Sequence, residues 1–201
     1  IRTILPPTLR LVSGPGCPVC VTGQGEIEAA LSLLDRGAVV AAYGAMFKVP
    51  CEGGSLASKR SRGLDARVVT SAMETLTIAV ENPDREVVFL GVGFETTAPA
   101  NAMAVWQAAR EGIENFSVLV AHVLVPPAIE AIFGAPDCRV HAFLAAGHVC
   151  TVMGFAEYEP VARRYRVPIV VTGFEPVDLL EGIHMALLQL ESGRAEVENQ
   201  Y

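Results

Sequence analysis

The residues Val87-Val88-Phe89-Leu90-Gly91-Val92-Gly93-Phe94-Glu95 run as a short apolar, β-branched strand into a glycine turn and then a carboxylate. They have an echo in Pro168-Ile169-Val170-Val171-Thr172-Gly173-Phe174-Glu175, so Gly-Phe-Glu stands twice at a strand's end. Working outward, further apolar runs fall at 9–13, 39–43, 67–71, 116–122 and 142–146. Between the runs, 24–35, 55–62, 72–81, 99–111, 126–133, 157–164 and 176–190 carry helical spacing. Strands alternating with helices imply βαβ units and parallel sheets, either one doubly wound sheet or two smaller ones. In such sheets the turns into the following helices gather at the carboxyl edge, where α/β proteins build their sites. The ionisable groups expected there are Cys17, Cys20, Glu95, His122, His148 and Glu175, with Thr96 beside Glu95.

The 201 residues hold 15 Lys+Arg against 22 Asp+Glu, a net charge of −7, with 51% hydrophobic and 18% charged residues. That composition excludes intrinsic disorder, and the acidic balance argues against a nucleic-acid scaffold. The longest charge-free stretch, 140–156, contains two histidines, a cysteine and two glycines, which makes it too short and too polar for a membrane span. No signal-peptide pattern opens the chain, so a cytoplasmic location is expected. Five cysteines, an odd count with one close pair, do not resemble a secreted disulfide framework. The chain starts on Ile1 and stops after Val197-Glu198-Asn199-Gln200-Tyr201 without an obvious closing element, so it reads as part of something longer.

The strongest local signal is Gly14-Pro15-Gly16-Cys17-Pro18-Val19-Cys20. Two cysteines at this spacing can close a small disulfide or chelate one metal on a loop stiffened by Gly and Pro. The alternative is two inert buried cysteines in a turn. Zinc wants four ligands, and Cys51, Cys138 and Cys150 are isolated, although His148-x-Cys150 could add donors in space. A thioredoxin-like pair normally opens a helix directly, and here loop residues are expected before Gln24. Gly91-Val92-Gly93-Phe94-Glu95-Thr96 lacks the third glycine of a dinucleotide fingerprint and puts a carboxylate where pyrophosphate would approach. Glu95 and Glu175 either handle a proton or bond backbone amides, and His122 and His148 either orient a thiol or are structural. His141 and His184 read as structural, and Phe89, Phe94, Trp106, Phe116 and Phe143 as core. Lys59-Arg60-Ser61-Arg62 reads as a solvated helix face, or as a contact for an acidic partner.

In their order, Gly14-Pro-Gly-Cys-Pro-Val-Cys20, Val49-Pro50, Gly93-Phe-Glu-Thr-Thr-Ala-Pro99, Gly147-His-Val149, Gly173-Phe-Glu-Pro-Val-Asp178 and Val197-Glu-Asn-Gln-Tyr201 closely resemble the HypD family of hydrogenase maturation proteins over essentially the whole chain. The resemblance implies two similar α/β lobes with a cleft between them. The polar stretch 81–86 is the expected boundary, giving a first lobe at 1–83 with the Cys-x-x-Cys loop and a second at 84–201 with the GFETT, GHV and GFEPxD motifs. It also implies a scaffold for assembling the Fe(CN)2CO unit of [NiFe]-hydrogenase, with a HypC-like small chaperone and a HypE-like cyanide donor as partners. By position Cys17 and Cys20 match the family's redox-active pair beside the iron, and Glu95, Thr96, His148, Glu175 and Asp178 match positions around the cleft.

The family's [4Fe-4S] domain and its upstream Cys-Gly-Gly-His segment have no counterpart in these residues. Ala45, Cys51, Cys150 and Gly23 stand where the family usually has Asp, Gly, Ser and Pro, and the two extra cysteines are candidate replacement iron ligands. The expected mechanism is a dithiol–disulfide cycle at Cys17 and Cys20 beside transient iron, with His148 and Glu95 tuning protonation, on a scaffold rather than a turnover enzyme. The rivals are a metal-free thiol–disulfide oxidoreductase and a docking module with incidental cysteines.

Overall fold

The computed structural model describes residues 1–14 and 16–201 and divides into two compact units, Cys17–Val123 and Ile1–Gly16 with Leu124–Tyr201. The first unit runs α1 (Pro18–Val21), α2 (Gln24–Asp35), β1 (Val39–Tyr43), a 3-10 turn at Gly44–Lys48, α3 (Leu56–Ser61), β2 (Ala66–Val69), α4 (Ala72–Glu81), β3 (Val87–Gly93), α5 (Ala98–Glu111) and β4 (Phe116–His122). Its sheet is parallel in the order β2-β1-β3-β4. The central strand β3 is buried along its whole length, as a strand covered on both faces must be.

Side-chain alternation divides this unit's core. Val40, Ala42, Val88, Leu90 and Val92 face Ile27, Leu31 and Leu34 of α2 and Leu56 of α3. From the opposite face Ala41 and Phe89 pack on Ala72 and Leu76 of α4 and on Ala104 and Ala108 of α5. Ser55 and Ser71 cap α3 and α4, and Gly112 closes α5 at φ +67°, a left-handed conformation that costs glycine little.

The second unit runs α6 (Val125–Phe133), β5 (Phe143–Ala146), α7 (Gly147–Met153), α8 (Tyr158–Tyr165), β6 (Ile169–Thr172), α9 (Pro176–Ser192) and β7 (Val197–Asn199), with a parallel sheet in the order β5-β6-β7. The α/β class with two parallel sheets is therefore observed. The 9–13 run is not a strand: it has no ladder partner, and Arg10, Val12 and Ser13 are exposed. A strand that the apolar pattern does not mark, β7, takes its place in the number of strands.

The 83/84 boundary is corrected as well, because Val39 pairs with Val87 and Ala42 with Leu90, so that cut would sever β1 from β3. The stretch 81–86 is polar for a local reason. The Arg85 guanidinium donates to the Gly37 carbonyl and to Asp65, while Asn115 Nδ2 donates to the carbonyls of Ala79, Asn82 and Arg85. These groups satisfy backbone acceptors at the amino edge of the sheet, and they do not form a linker.

Candidate functional site

The Cys-x-x-Cys segment folds as one helical turn. Cys17 is its N-cap residue, Pro18 follows at the first helical position, and the Cys20 N–H donates to the Cys17 carbonyl at 3.0 Å. The Thr22 N–H and hydroxyl both donate to the Pro18 carbonyl, at 3.0 and 2.9 Å, and close the turn. The expectation that loop residues separate the pair from a helix is thereby corrected: Cys17 opens one, although it lasts a single turn. Pro15 of the motif lies outside the described residues.

Both thiols are free and exposed. The Cys20 thiol hydrogen-bonds to the Cys17 sulfur, and this bond, with the Cys20 backbone N–H, holds the Cys17 pKa below the ordinary thiol value. The same bond, with desolvation, pushes Cys20 up. The two thiols are thus shifted in opposite directions, the first cysteine being the more acidic. Val19, between them, packs against the core cluster that includes Val92 and Ala121 at the carboxyl ends of β3 and β4, and α1 contacts β3, which ties the turn to the sheet.

At that same edge the chain leaves β3 into the 93–97 turn. Glu95 is buried, Thr96 is half-buried, and Thr97 precedes α5 with its hydroxyl on the Phe94 carbonyl at 3.0 Å. His122 stands directly across the ladder from Gly93. Its Nε2 lies 2.9 Å from Asn101 Nδ2 and 3.2 Å from Thr97 Oγ1, while the Tyr43 hydroxyl donates to Asn101 Oδ1 at 3.3 Å. Burial lowers the His122 pKa and raises that of Tyr43. The amide and hydroxyls of Tyr43, Thr97 and Asn101 were not anticipated from the sequence. Asn101 was detectable as the polar member of the buried α5 stripe it shares with Ala104 and Ala108.

In the second unit His148, exposed on the first turn of α7, stacks on Phe174 with ring centroids 4.9 Å apart. Glu175 is exposed at the N-cap of α9 and its N–H donates to the Asp178 carboxylate at 3.2 Å, half of a reciprocal capping box. Gln200 binds this turn from β7's end: its Oε1 accepts from the Gly173 N–H at 3.1 Å, and its Nε2 donates to Asp178 at 3.2 Å and Glu181 at 3.0 Å. Glu175 and Asp178 therefore have a structural duty whatever else they do. The described sites are Cys17, Cys20, Glu95 and Thr96 in one unit and His148, Glu175 and Asp178 in the other.

Among the described residues no three His, Cys, Asp or Glu side chains gather as a metal-binding group. The extra-ligand role considered for Cys51 and Cys150 has no support in that arrangement. An iron–sulfur cluster takes four cysteine ligands, and the cysteines here are divided between the units, Cys17, Cys20 and Cys51 in one and Cys138 and Cys150 in the other. Phe89 and Phe94 are buried as expected, but Trp106 is 50% exposed on α5 with the Arg110 guanidinium 4.5 Å above its ring, because the buried stripe of α5 runs through Asn101, Ala104 and Ala108 instead. Among the described residues no helix is long and apolar enough to cross a membrane.

Residues 1–201 match the HypD family, described as the Hydrogenase formation hypA family. The chain belongs to the HypD family. It is 45% identical over 208 residues to hydrogenase maturation factor HypD of Azotobacter vinelandii, with 100% of this chain and 55% of that protein covered. It is 44% identical to the factor of the same name from Cupriavidus necator, with 100% and 55% covered, and 40% identical to that of Escherichia coli strain K12, with 98% and 53% covered. The chain thus spans about half the length of these HypD relatives.

Proposed function

We propose that this chain acts in hydrogenase maturation, in the cytoplasm, as the thiol-bearing part of a scaffold on which the Fe(CN)2CO unit is assembled. The iron unit is cargo, held between a HypC-like small chaperone and this chain, with cyanide supplied by a HypE-like donor. The observation that carries the reading is the Cys17–Cys20 pair: two exposed, hydrogen-bonded thiols, the first made more acidic and the second less, on a helical turn packed against the core of a parallel sheet. Soft thiolates suit iron carrying CN⁻ and CO. The pair offers two such donors, and in this reading the cargo's other ligands come from its own diatomics and from the partner. Oxidation of the pair forms one S–S bond and releases two electrons and two protons, a balance open to test with a defined disulfide buffer. No step is assigned to an iron–sulfur cluster.

The test is anaerobic purification of the chain with its small chaperone, followed by iron analysis and infrared spectroscopy where iron-bound CN⁻ and CO absorb. Bands that disappear in Cys17→Ser and Cys20→Ser support the reading, whereas a folded, iron-free complex without bands overturns it for this chain.

The acidified, exposed Cys17 opening a helical turn favours a second reading, a metal-free thiol–disulfide oxidoreductase. That reading requires the chain alone to turn over insulin disulfides. A Cys17/Cys20 double-serine variant that still supports maturation would leave only docking.

A further inference from the structure

The His122 cluster lies on the face of the four-strand sheet that carries α4 and α5, opposite to the face where Val19 anchors the cysteine turn, since Val92 and Ala121 alternate with Gly93 and His122 along β3 and β4. We propose that His122 is a positioning residue for the 93–97 turn: a neutral ring with its proton on Nδ1, receiving Asn101 Nδ2 at Nε2 and bracing Thr97. The assignment rests on hydrogen-bond direction. The Tyr43 hydroxyl donates to Asn101 Oδ1, so the amide turns its NH2 to the ring, and a donor 2.9 Å away requires Nε2 to be an acceptor. A protonated ring would set N–H against N–H.

Thr97 Oγ1 lies 3.2 Å from the same nitrogen, and with Nε2 taken by Asn101 its one proton goes to the Phe94 carbonyl at 3.0 Å. The ring therefore braces Thr97 by close packing, while the hydroxyl ties it to the turn's backbone. Asn101 is almost fully buried and Tyr43, His122 and Thr97 are half-buried, so the chain Tyr43–Asn101–His122–Thr97 runs from the packed interior to the turn. The lowered pKa of the ring, caused by burial, agrees with a site that holds the neutral form. The turn so braced carries buried Glu95 and half-buried Thr96, the two residues that the sequence places at this end of the site.

The structural part of this proposal stands alone, while its link to maturation rests on the reading given under Proposed function. Nitrogen-15 correlation spectra of the histidine rings at neutral pH should show His122 as the neutral Nδ1–H form. Asn101→Asp should convert it to an Nε2–H donor and move its titration above that of an ordinary histidine. Amide exchange at residues 94–97 should rise about tenfold in His122→Leu and stay near the parent in His122→Gln, whose amide oxygen can replace the Nε2 acceptor. In the iron-loaded complex, the CN⁻ and CO bands should shift or vanish in His122→Leu and be retained in His122→Gln. An Nε2–H tautomer in the parent, or unchanged exchange at 94–97 in a folded His122→Leu, would overturn the proposal. If ring and exchange behave as stated but the parent complex shows no iron bands, the scaffold reading fails and the positioning role of His122 stands.

Discussion

Replacing Gly93 by alanine tests whether the turn after β3 is held as tightly as the structure shows. A Cβ at Gly93 would overlap the Thr97 hydroxyl and lie 2.8 Å from Thr97 Cβ. Carbon atoms in good contact sit about 3.5–4.0 Å apart, which leaves a shortfall of roughly 1 Å. The hydroxyl can swing away about χ1, but Thr97 Cβ moves only with the backbone, so the turn itself must shift. Overpacking of this kind costs about 1–3 kcal/mol. Losing the Thr97 hydroxyl bond to Phe94 adds about 1 kcal/mol. Replacing a glycine inside a strand returns about 0.5–1 kcal/mol. The net is a loss of about 2 kcal/mol, or a fall in Tm of about 4–8 °C for a chain of this size. Thr97→Gly, which removes that Cβ, should cost stability in the parent yet recover it in the Gly93→Ala background, a coupling of at least about 1 kcal/mol. Urea and thermal unfolding followed by circular dichroism measure both. A Gly93→Ala chain within about 0.5 kcal/mol of the parent, or additive effects of the two changes, would refute the close approach of Thr97.

Three further outcomes are expected. Because the Cys20 bond acidifies Cys17, alkylation should begin at Cys17 and at lower pH than at Cys20, and mass spectrometry showing Cys20 modified first would contradict the polarised pair. Burial holds His122 below the ordinary value of about 6.5, so the unfolded chain binds that proton first as pH falls. Its contribution to stability is full above that value and is lost as pH drops through it towards the folded pKa. The fall in Tm from neutral pH into this range should be steeper in the parent than in His122→Gln, and parallel curves would remove this contribution. Asp65 is held below the usual carboxylate range, first by its bond to Arg67 and then by Arg85, and so stabilises above about pH 4 and loses that contribution on acidification. Asp65→Asn should cost about 1 kcal/mol or less at neutral pH, read from urea unfolding, and nothing near pH 2.

Helices were the most legible part of the fold. The expected 24–35 and 72–81 coincide with α2 and α4, because their apolar stripes and Ser71 cap sit where a helix needs them. The short turns at α1 and α7 were not visible, since four and seven residues are too few for a helical period to show. The third strand of the second unit was hidden in polar Val197-Glu198-Asn199, a strand held by its ladder to β6 rather than by its own apolar character. The unit boundary was misplaced because polarity marks exposed backbone as readily as it marks a linker, and only strand pairing tells the two apart. At the site, motif residues were legible one by one. Their braces were not, since Tyr43 and Asn101 meet His122 only through the register of separate strands and a helix.

The repeated Gly-Phe-Glu has a physical cause that the two turns share. A Cβ on Gly93 would overlap the hydroxyl of Thr97, and one on Gly173 would overlap the carboxylate of Asp178 and lie 2.7 Å from its Cγ. In each turn a polar side chain from the start of the next helix folds back over the glycine that ends the strand. That is why each motif runs on to Thr97 or Asp178 rather than stopping at the glutamate. The folded-back group is in turn gripped from a neighbouring strand, Thr97 by His122 at the end of β4 and Asp178 by Gln200 just past β7. Each Gly-Phe-Glu turn is therefore a three-part clasp of glycine, cap residue and strand-end brace, which keeps an acidic residue at a fixed place beside the carboxyl edge. Two sheets of different strand number carry the same device. The turns after β3 and β6 thus share the geometry of this chain's internal repeat, with Glu95 buried in one and Glu175 exposed in the other as the feature that separates them.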